Sequence, residues 1–535
     1  MTTTSSARSL GANRAAELAA LVTAAAHRER RANHCPFDGS LIGEVPVCTA
    51  DDVAAAVARA RTAQRAWAAR PMRERTAVAR RYHDLVLARQ DELLDLIQLE
   101  SGKSRASAHE EVSDLAATAM YYARTAAIHL RSRWREGAVP LLTTTVVHHH
   151  PKGVVGVISP WNYPLTLATS DAAAALLAGN AVVLKPDRQT PFTALAAVEL
   201  LFQAGLPRDL FHVATGEGPV LGPSLIGAVD FLMFTGSTAT GRIIAEQCGR
   251  RLIGFSAELG GKNPMVVLAD ADVEAAARHA VHACFSNSGQ LCISIERIYV
   301  EDAVYDQFAS AFAAHVRAMK LAPGLTWDAD MGSMVSEAQL EVVGRHVGDA
   351  VAKGARVLAG GRARPDLGPL FFEPTVLEGV TDEMEVAHAE TFGPVVSLYR
   401  VRDEAEAIAR ANDSEYGLNA AIWSTPRHGS ELARRLAVGT ANVNEGFAAA
   451  WGSFDAPMGG WKASGVGRRH GREGIVKYTE TQTVAVQRVM PIRAPHGVDA
   501  ERWADLMSLG LKVLRYRPRN ALLKATGGLP VRERR

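Results

Sequence analysis

At 535 residues the chain is too long for one ordinary core, so two or three domains are expected. Hydrophobic residues at 47%, charged residues at 22%, a net charge of +2 and no Lys/Arg-rich run in the main body argue against a nucleic-acid surface and leave small molecules as the expected partners. Five cysteines (Cys35, Cys48, Cys248, Cys284 and Cys292) form no CxxC pair and are odd in number, which argues against a disulfide framework or a zinc site and fits a reducing compartment.

Residues 1 to about 30 are rich in alanine and arginine and read as a frayed helix or a disordered arm. Met1 to Asn13 lacks the apolar core of a secretory signal, and no run of about 18 apolar residues exists to span a bilayer, so a cytoplasmic location is expected. Cys35 to Cys48 reads as a hairpin turning at Asp38-Gly39, and Thr49 with Asp52 as a capping box. Long packing helices are predicted over Met72–Gln98 and Ala106–Leu130. The Thr/Val-rich run Pro140–His150 is a strand by propensity. On a strand, adjacent side chains point to opposite faces, so His148, His149 and His150 cannot converge on one metal ion, and no metal site is predicted.

From Gly153 short apolar strands alternate with helices. Strands are predicted at Val154–Ile158, Ala181–Leu184, Phe211–Ala214 and Phe231–Thr235, with helices at Ser170–Ala178 and Phe192–Ala204, the pattern of a doubly wound parallel sheet. A second alternation runs from Asn263 to about Val443, including Val266–Leu268, a helix near Val273–Cys284, Arg297–Val300 and Ala355–Leu358. Thr481–Gln487 reads as a strand, and Glu501–Tyr516 as an amphipathic helix with Trp503, Leu506, Met507, Val513 and Leu514 on one stripe. The basic excess after Met490 would permit contact with an anionic membrane surface, but docking on its own or a neighbouring subunit is the preferred expectation.

Three residues carry candidate chemistry. Cys292 follows the polar approach Ser286-Asn287-Ser288-Gly289-Gln290-Leu291, which suits an exposed thiol between buried neighbours. Glu258 precedes Leu259-Gly260-Gly261, where two glycines allow close backbone approach. Asn162 ends an apolar run in Pro160-Trp161-Asn162-Tyr163-Pro164 and has an amide to offer an oxyanion. Each signal alone is weak, since a lone cysteine is more often a buried small residue. GxGxxG is absent: Gly216-Glu217-Gly218 and Gly465-Val466-Gly467 read as turns. Phe234-Thr235-Gly236-Ser237 instead joins a strand to a helix start, where backbone N–H groups can meet a pyrophosphate.

Taken together with Leu184-Lys185-Pro186, Glu390-Thr391-Phe392-Gly393-Pro394 and Pro457-Met458-Gly459-Gly460-Trp461-Lys462, these motifs resemble the aldehyde dehydrogenase superfamily from about Cys35 to about Gln487. The resemblance implies an α/β fold: a Rossmann-type cofactor-binding domain (31–130 and 151–260), an α/β catalytic domain (261–476), a small β oligomerisation arm (131–150 and 477–490) and a basic extension (491–535). It further implies a homodimer or homotetramer, with the arm strands pairing across a subunit boundary. Implied roles are Cys292 as nucleophile, Asn162 as oxyanion donor and Glu258 as base for thioester hydrolysis. The implied cofactor contacts are Ser159, Trp161, Lys185, Arg188, Phe234, Thr235, Gly236, Ser237, Leu259, Glu390 and Phe392.

Where the family often has a glutamate that repels a 2′-phosphate, this chain has Arg188, so NADP is expected over NAD. Ala257 to Met265 and Cys292 to Arg297 are most similar to actinobacterial succinate-semialdehyde dehydrogenases, implying oxidation of succinate semialdehyde to succinate. Where better-known enzymes of that activity place arginines for the substrate carboxylate, this chain has Ser170 and Ser286, with Ser453 as a further candidate contact. A broad aldehyde range and a thioester-forming esterase are the alternatives.

Overall fold

A computed structural model describes residues 10–138, 142–488 and 492–515. The strand start at Pro140, the tail from Met490 to 491, Tyr516 and everything beyond it lie outside the described residues.

Two large sheets organise the chain. The first has six strands in the order Gly465–Val466, Gly254–Glu258, Phe231–Thr235, Val154–Ile158, Ala181–Lys185 and Phe211–Val213. Its members run parallel except Gly465–Val466, which pairs antiparallel with Gly254–Glu258. Val154, Val155, Val182, Val183 and Leu232 are fully buried, as strands covered by helices on both faces must be. Gly465-Val466-Gly467, expected as a plain turn, thus supplies the edge strand beside Glu258. The second sheet has seven strands, Arg356–Ala359, Thr375–Glu378, Val395–Val401, Ile295–Glu301, Asn263–Val267, Asn419–Trp423 and Thr440–Val443, parallel except for the first pair.

The third sheet corrects an expectation. Thr479–Gln487 pairs antiparallel with Thr143–Pro151 along all of its length, and Arg133–Arg135 flanks the latter, so this pairing lies within one chain rather than across a subunit boundary. His148, His149 and His150 bond separately to Ser132, Thr479 and Gln482, and no metal-holding group is found among the described residues.

The N-terminal region is also more ordered than expected. Ala12–Ala19 is a helix whose Ala15, Leu18 and Ala19 are buried, and Arg14 clamps Glu199 and Glu92 at 2.5 and 2.8 Å. The hairpin forms from Arg30–His34 and Leu41–Pro46, with Asp38 accepting the Ser40 N–H at 2.9 Å, and the Thr49/Asp52 capping box is present. The helix expected over Met72–Gln98 is two, Met72–Ala88 and Gln90–Ser101, broken at Arg89 (φ −104°). The tail helix spans Ala500–Leu514 with Leu506, Met507, Leu509 and Leu511 exposed, so the described residues leave Leu506 and Met507 of the expected stripe uncovered. No helix of the described residues is long and apolar enough to cross a membrane.

Candidate active site

The loop before Cys292 is held in an unusual shape. Helix Val273–Phe285 ends, and Asn287, Ser288 and Gly289 follow with φ of 51°, 56° and 69°. Three successive left-handed residues are costly for non-glycines, so the surroundings must impose them. Asn287 N–H donates to Ser107 Oγ (3.0 Å), Ser288 Oγ to the Gly332 and Ser333 carbonyls (3.3 and 3.2 Å), and Gln290 Oε1 accepts Val335 N–H (3.0 Å). Gly289 is required for space as well: a Cβ there would lie 2.1 Å from the Gly393 carbonyl oxygen. This places a partly exposed Cys292 between buried Leu291 and Ile293, while Cys284 is fully packed in the core.

Asn162 sits in the loop after Val154–Ile158. Its Nδ2 donates to the Gln290 carbonyl at 3.0 Å, and its own carbonyl accepts from Lys103 Nζ (2.5 Å) and Asn287 Nδ2 (3.1 Å). An amide carries two N–H donors, so one remains for an oxyanion. Lys103 is itself fully buried and paired with Glu111 at 2.7 Å; neither stood out in the sequence, because their meeting depends on helix Arg105–His129 crossing this loop.

Glu258 is the last residue of its strand. Its carboxyl is buried and Oε1 has no partner, while Gly459 passes so close that a Cβ would approach Oε1 to 3.2 Å. Burial raises its pKa to about 7, against the pull of Arg469, Lys477 and Arg468. Enclosure, followed by the charges of Glu258 and Glu390, pushes the Cys292 thiol up to about 12.

Two cavities flank the segment Leu291–Ile293. The first, of about 330 Å³, is lined by Cys292 itself and by the expected residues Trp161, Asn162, Thr235, Gly236, Ser237, Glu258, Leu259, Glu390 and Phe392. Trp161 and Phe392 stand edge to face, 5.4 Å apart. Phe392 holds φ 50° because its N–H and that of Thr391 donate to Glu296, which also pairs with Lys262 at 2.6 Å. Glu390 accepts Gly261 N–H at 2.8 Å, and burial with the nearby Glu296 charge raises its pKa to about 8. Ser237 caps helix Thr238–Arg251, and Gly236 leaves room over the Phe234 ring, which a Cβ would approach to 2.5 Å. Lys185 is buried with Nζ on the Pro186 carbonyl at 3.1 Å, and burial lowers its pKa. The Ser159 hydroxyl is buried without a partner. A capped helix start, a glycine cradle and orphaned polar atoms along one sheet edge fit a dinucleotide. Arg188 lies outside this cavity, half-exposed and paired with Glu217 at 3.0 Å.

The second cavity, of about 370 Å³, touches Leu291 and Ile293 from the other side. Its walls include Glu110, Asp114, Tyr163, His282, Phe447 and Trp451, most of which sequence reasoning missed. Glu110 accepts Tyr163 O–H (2.8 Å), Ser286 Oγ (3.0 Å) and His282 Nε2 (2.9 Å), and that bond raises the His282 pKa. Of the serines expected at the substrate, only Ser286 reaches this cluster. Ser170 is buried in helix Thr166–Leu177 and Ser453 is exposed, bonded to the Ala449 carbonyl at 2.8 Å; neither lines a cavity described here.

Residues 22–484 match the aldehyde dehydrogenase family, a span beginning upstream of the stretch expected from the motifs. A Mycolicibacterium smegmatis protein named “Putative succinate-semialdehyde dehydrogenase, NADP(+)” is 58% identical over 483 residues, covering 90% of this chain and 93% of its own length. A Mycobacterium ulcerans protein of the same name, numbered 2, is 57% identical over 469 residues, 87% of this chain and 90% of its own. Among solved structures, an Escherichia coli NADP-dependent enzyme superposes with a TM-score of 0.84 at 36% identity, covering 87% of this chain and 97% of that one. A match of that extent, over both sheets and around the cysteine, has one consequence: the chain belongs to the aldehyde dehydrogenase family.

Proposed function

We propose that the protein oxidises succinate semialdehyde to succinate with NADP, NAD being the weaker cofactor. The observation that carries the chemistry is that Cys292, Glu258 with its unpartnered carboxylate oxygen and Asn162 line one cavity together. The substrate and cofactor are supported by the names of the relatives.

The Cys292 sulfur attacks the aldehyde carbon as its proton passes to Glu258, and Asn162 Nδ2 with the Cys292 N–H hold the resulting oxyanion. When bound, the nicotinamide supplies the acceptor for the hydride that leaves that carbon. Collapse of the oxyanion leaves a thioester on Cys292. Glu258 passes that first proton to solvent and then takes one from water; the hydroxide oxygen bonds to the acyl carbon, the C–S bond breaks, the departing thiolate recovers the proton from Glu258, and the acid leaves as carboxylate and a proton. A thiol raised to about 12 needs such a base, since little thiolate exists at neutral pH. Trp161, Phe392 and Glu390 orient the cofactor, and Thr235, Gly236 and Ser237 receive its pyrophosphate. The oligomer forms through the three-stranded arm, in the cytoplasm.

A second reading, a broad range of uncharged aldehydes, is favoured by the second cavity. Its walls carry Glu110 and Asp114 with aromatic rings and no arginine or lysine, a poor reception for a substrate carboxylate. The test is a panel of kcat/KM values. Succinate semialdehyde above butanal and benzaldehyde is the expected result, and the reverse order establishes the second reading.

A further inference from the structure

The edge of the first sheet beyond the main cavity holds a cluster that the motif reading only half described. Glu217, which precedes helix Gly218–Ala228, accepts from Arg188 Nη1 at 3.0 Å on Oε1, and the same oxygen accepts from Arg31 Nη1. Arg31 is far away in sequence, on strand Arg30–His34 of the N-terminal hairpin. That hairpin is fastened here by buried Asn33, whose Nδ2 donates to the carbonyls of Arg188 (2.7 Å) and Gln189 (3.3 Å). One carboxylate therefore faces two guanidiniums, a net charge of +1. The charges of Asp187 and Glu217 on one side and Arg188 on the other also act on the Lys185 ammonium. Side chains of Arg31, Arg188 and Glu217 are 37%, 49% and 39% exposed, so a ligand can reach all three.

We propose that Arg31 is a specificity residue for the cofactor, forming with Arg188 a two-guanidinium clamp for the 2′-phosphate that Glu217 holds in place. The inference rests on the NADP reading above. Strand ends at the carboxyl edge are where the adenosine ribose lies in such sheets, and Lys185, at the end of Ala181–Lys185, marks that edge. Guanidinium is the group suited to phosphate, because its planar fork can offer two parallel N–H donors. Alone, Glu217 would repel a phosphate as the family's ribose-binding glutamate does. Flanked by two arginines it is neutralised, and its shared oxygen sets their spacing before the ligand arrives. The dianion then takes donors the carboxylate has kept oriented.

The test is direct binding of NADPH and NADH to the full-length enzyme, followed by quenching of its tryptophan fluorescence. Arg31→Ala is expected to raise the Kd for NADPH about 10-fold while changing that for NADH less than about twofold. Arg31→Lys, which keeps the charge but not the fork, is expected to fall between, and it serves if Arg31→Ala does not fold. Glu217→Gln is expected to leave NADPH binding as tight or tighter. Equal loss of NADPH and NADH in Arg31→Ala would make the residue merely structural, and no loss of either would remove it from the site; both overturn the proposal. Equal affinity of the unaltered enzyme for NADPH and NADH would instead overturn the NADP reading on which it stands.

Discussion

The roles proposed for Cys292 and Glu258 are separable at single atoms, and the separation is measurable. Cys292→Ala is expected to abolish aldehyde oxidation. Glu258→Gln is expected to slow the burst of reduced cofactor as well as steady-state turnover, each by about 10²–10⁴-fold, the usual worth of a general base; stopped-flow absorbance at the reduced-nicotinamide band separates the phases. A carboxyl with its pKa near 7 must be ionised to accept the water proton, so kcat should rise with pH through about 7, and this limb should vanish in Glu258→Gln. The same shift sets a stability sign. Because burial raises the folded pKa above the unfolded one, the favourable contribution is complete below the unfolded value and is lost as pH rises through about 7. Glu258→Gln should therefore raise Tm relative to the parent at pH 8 and not at pH 4, as read by differential scanning fluorimetry. At this scale the sequence was legible for Cys292, Asn162 and Glu258, since glycine-rich turns and a lone thiol are local signals. Arg31, Glu110 and Lys103 were not, because each takes its meaning from a partner far along the chain.

Helix Arg105–His129 is the element that joins the second cavity to the loop before Cys292. One face presents Glu110 and Asp114 to the cavity, and Glu111 beside them holds Lys103 under Asn162. Glu110→Gln removes a negative charge from the cavity while keeping one oxygen, in the place of Oε2, that can accept from both Tyr163 and Ser286. It is expected to lower KM for succinate semialdehyde several-fold, roughly the Coulomb term for a partly hydrated pair, with KM for butanal unchanged; steady-state kinetics on both aldehydes check it. Lys103→Met leaves Glu111 buried and unpaired, a change that costs about 3–5 kcal/mol. Urea unfolding should show the midpoint shift, and the surviving enzyme should lose kcat more than aldehyde affinity as the Asn162 loop loosens. The break at Arg89, which divides the helix predicted over Met72–Gln98, shows the limit of periodicity at this scale. The apolar spacing continues across it while the backbone does not.

Across the molecule, the proposed assembly rests on the three-stranded arm. Thr479–Gln487 is exposed along most of its length, with Val484 at 39% and Val486 at 50%. Replacing both by lysine is expected to shift the assembly to smaller species in sedimentation velocity while single-chain folding persists, because a charged edge resists pairing. An unchanged sedimentation coefficient would move the interface elsewhere. The sequence by itself determined the alternation of strands and helices and the seat of the thiol, both of which follow from period, turn chemistry and motif order within a few residues. Only the tertiary structure decided that Thr479–Gln487 pairs with its own Thr143–Pro151, that the N-terminal hairpin brings Arg31 to Arg188, and that acidic groups line the second cavity. Those contacts join residues whose spacing along the chain carries no signal, so the packing of whole sheets and helices had to fix them.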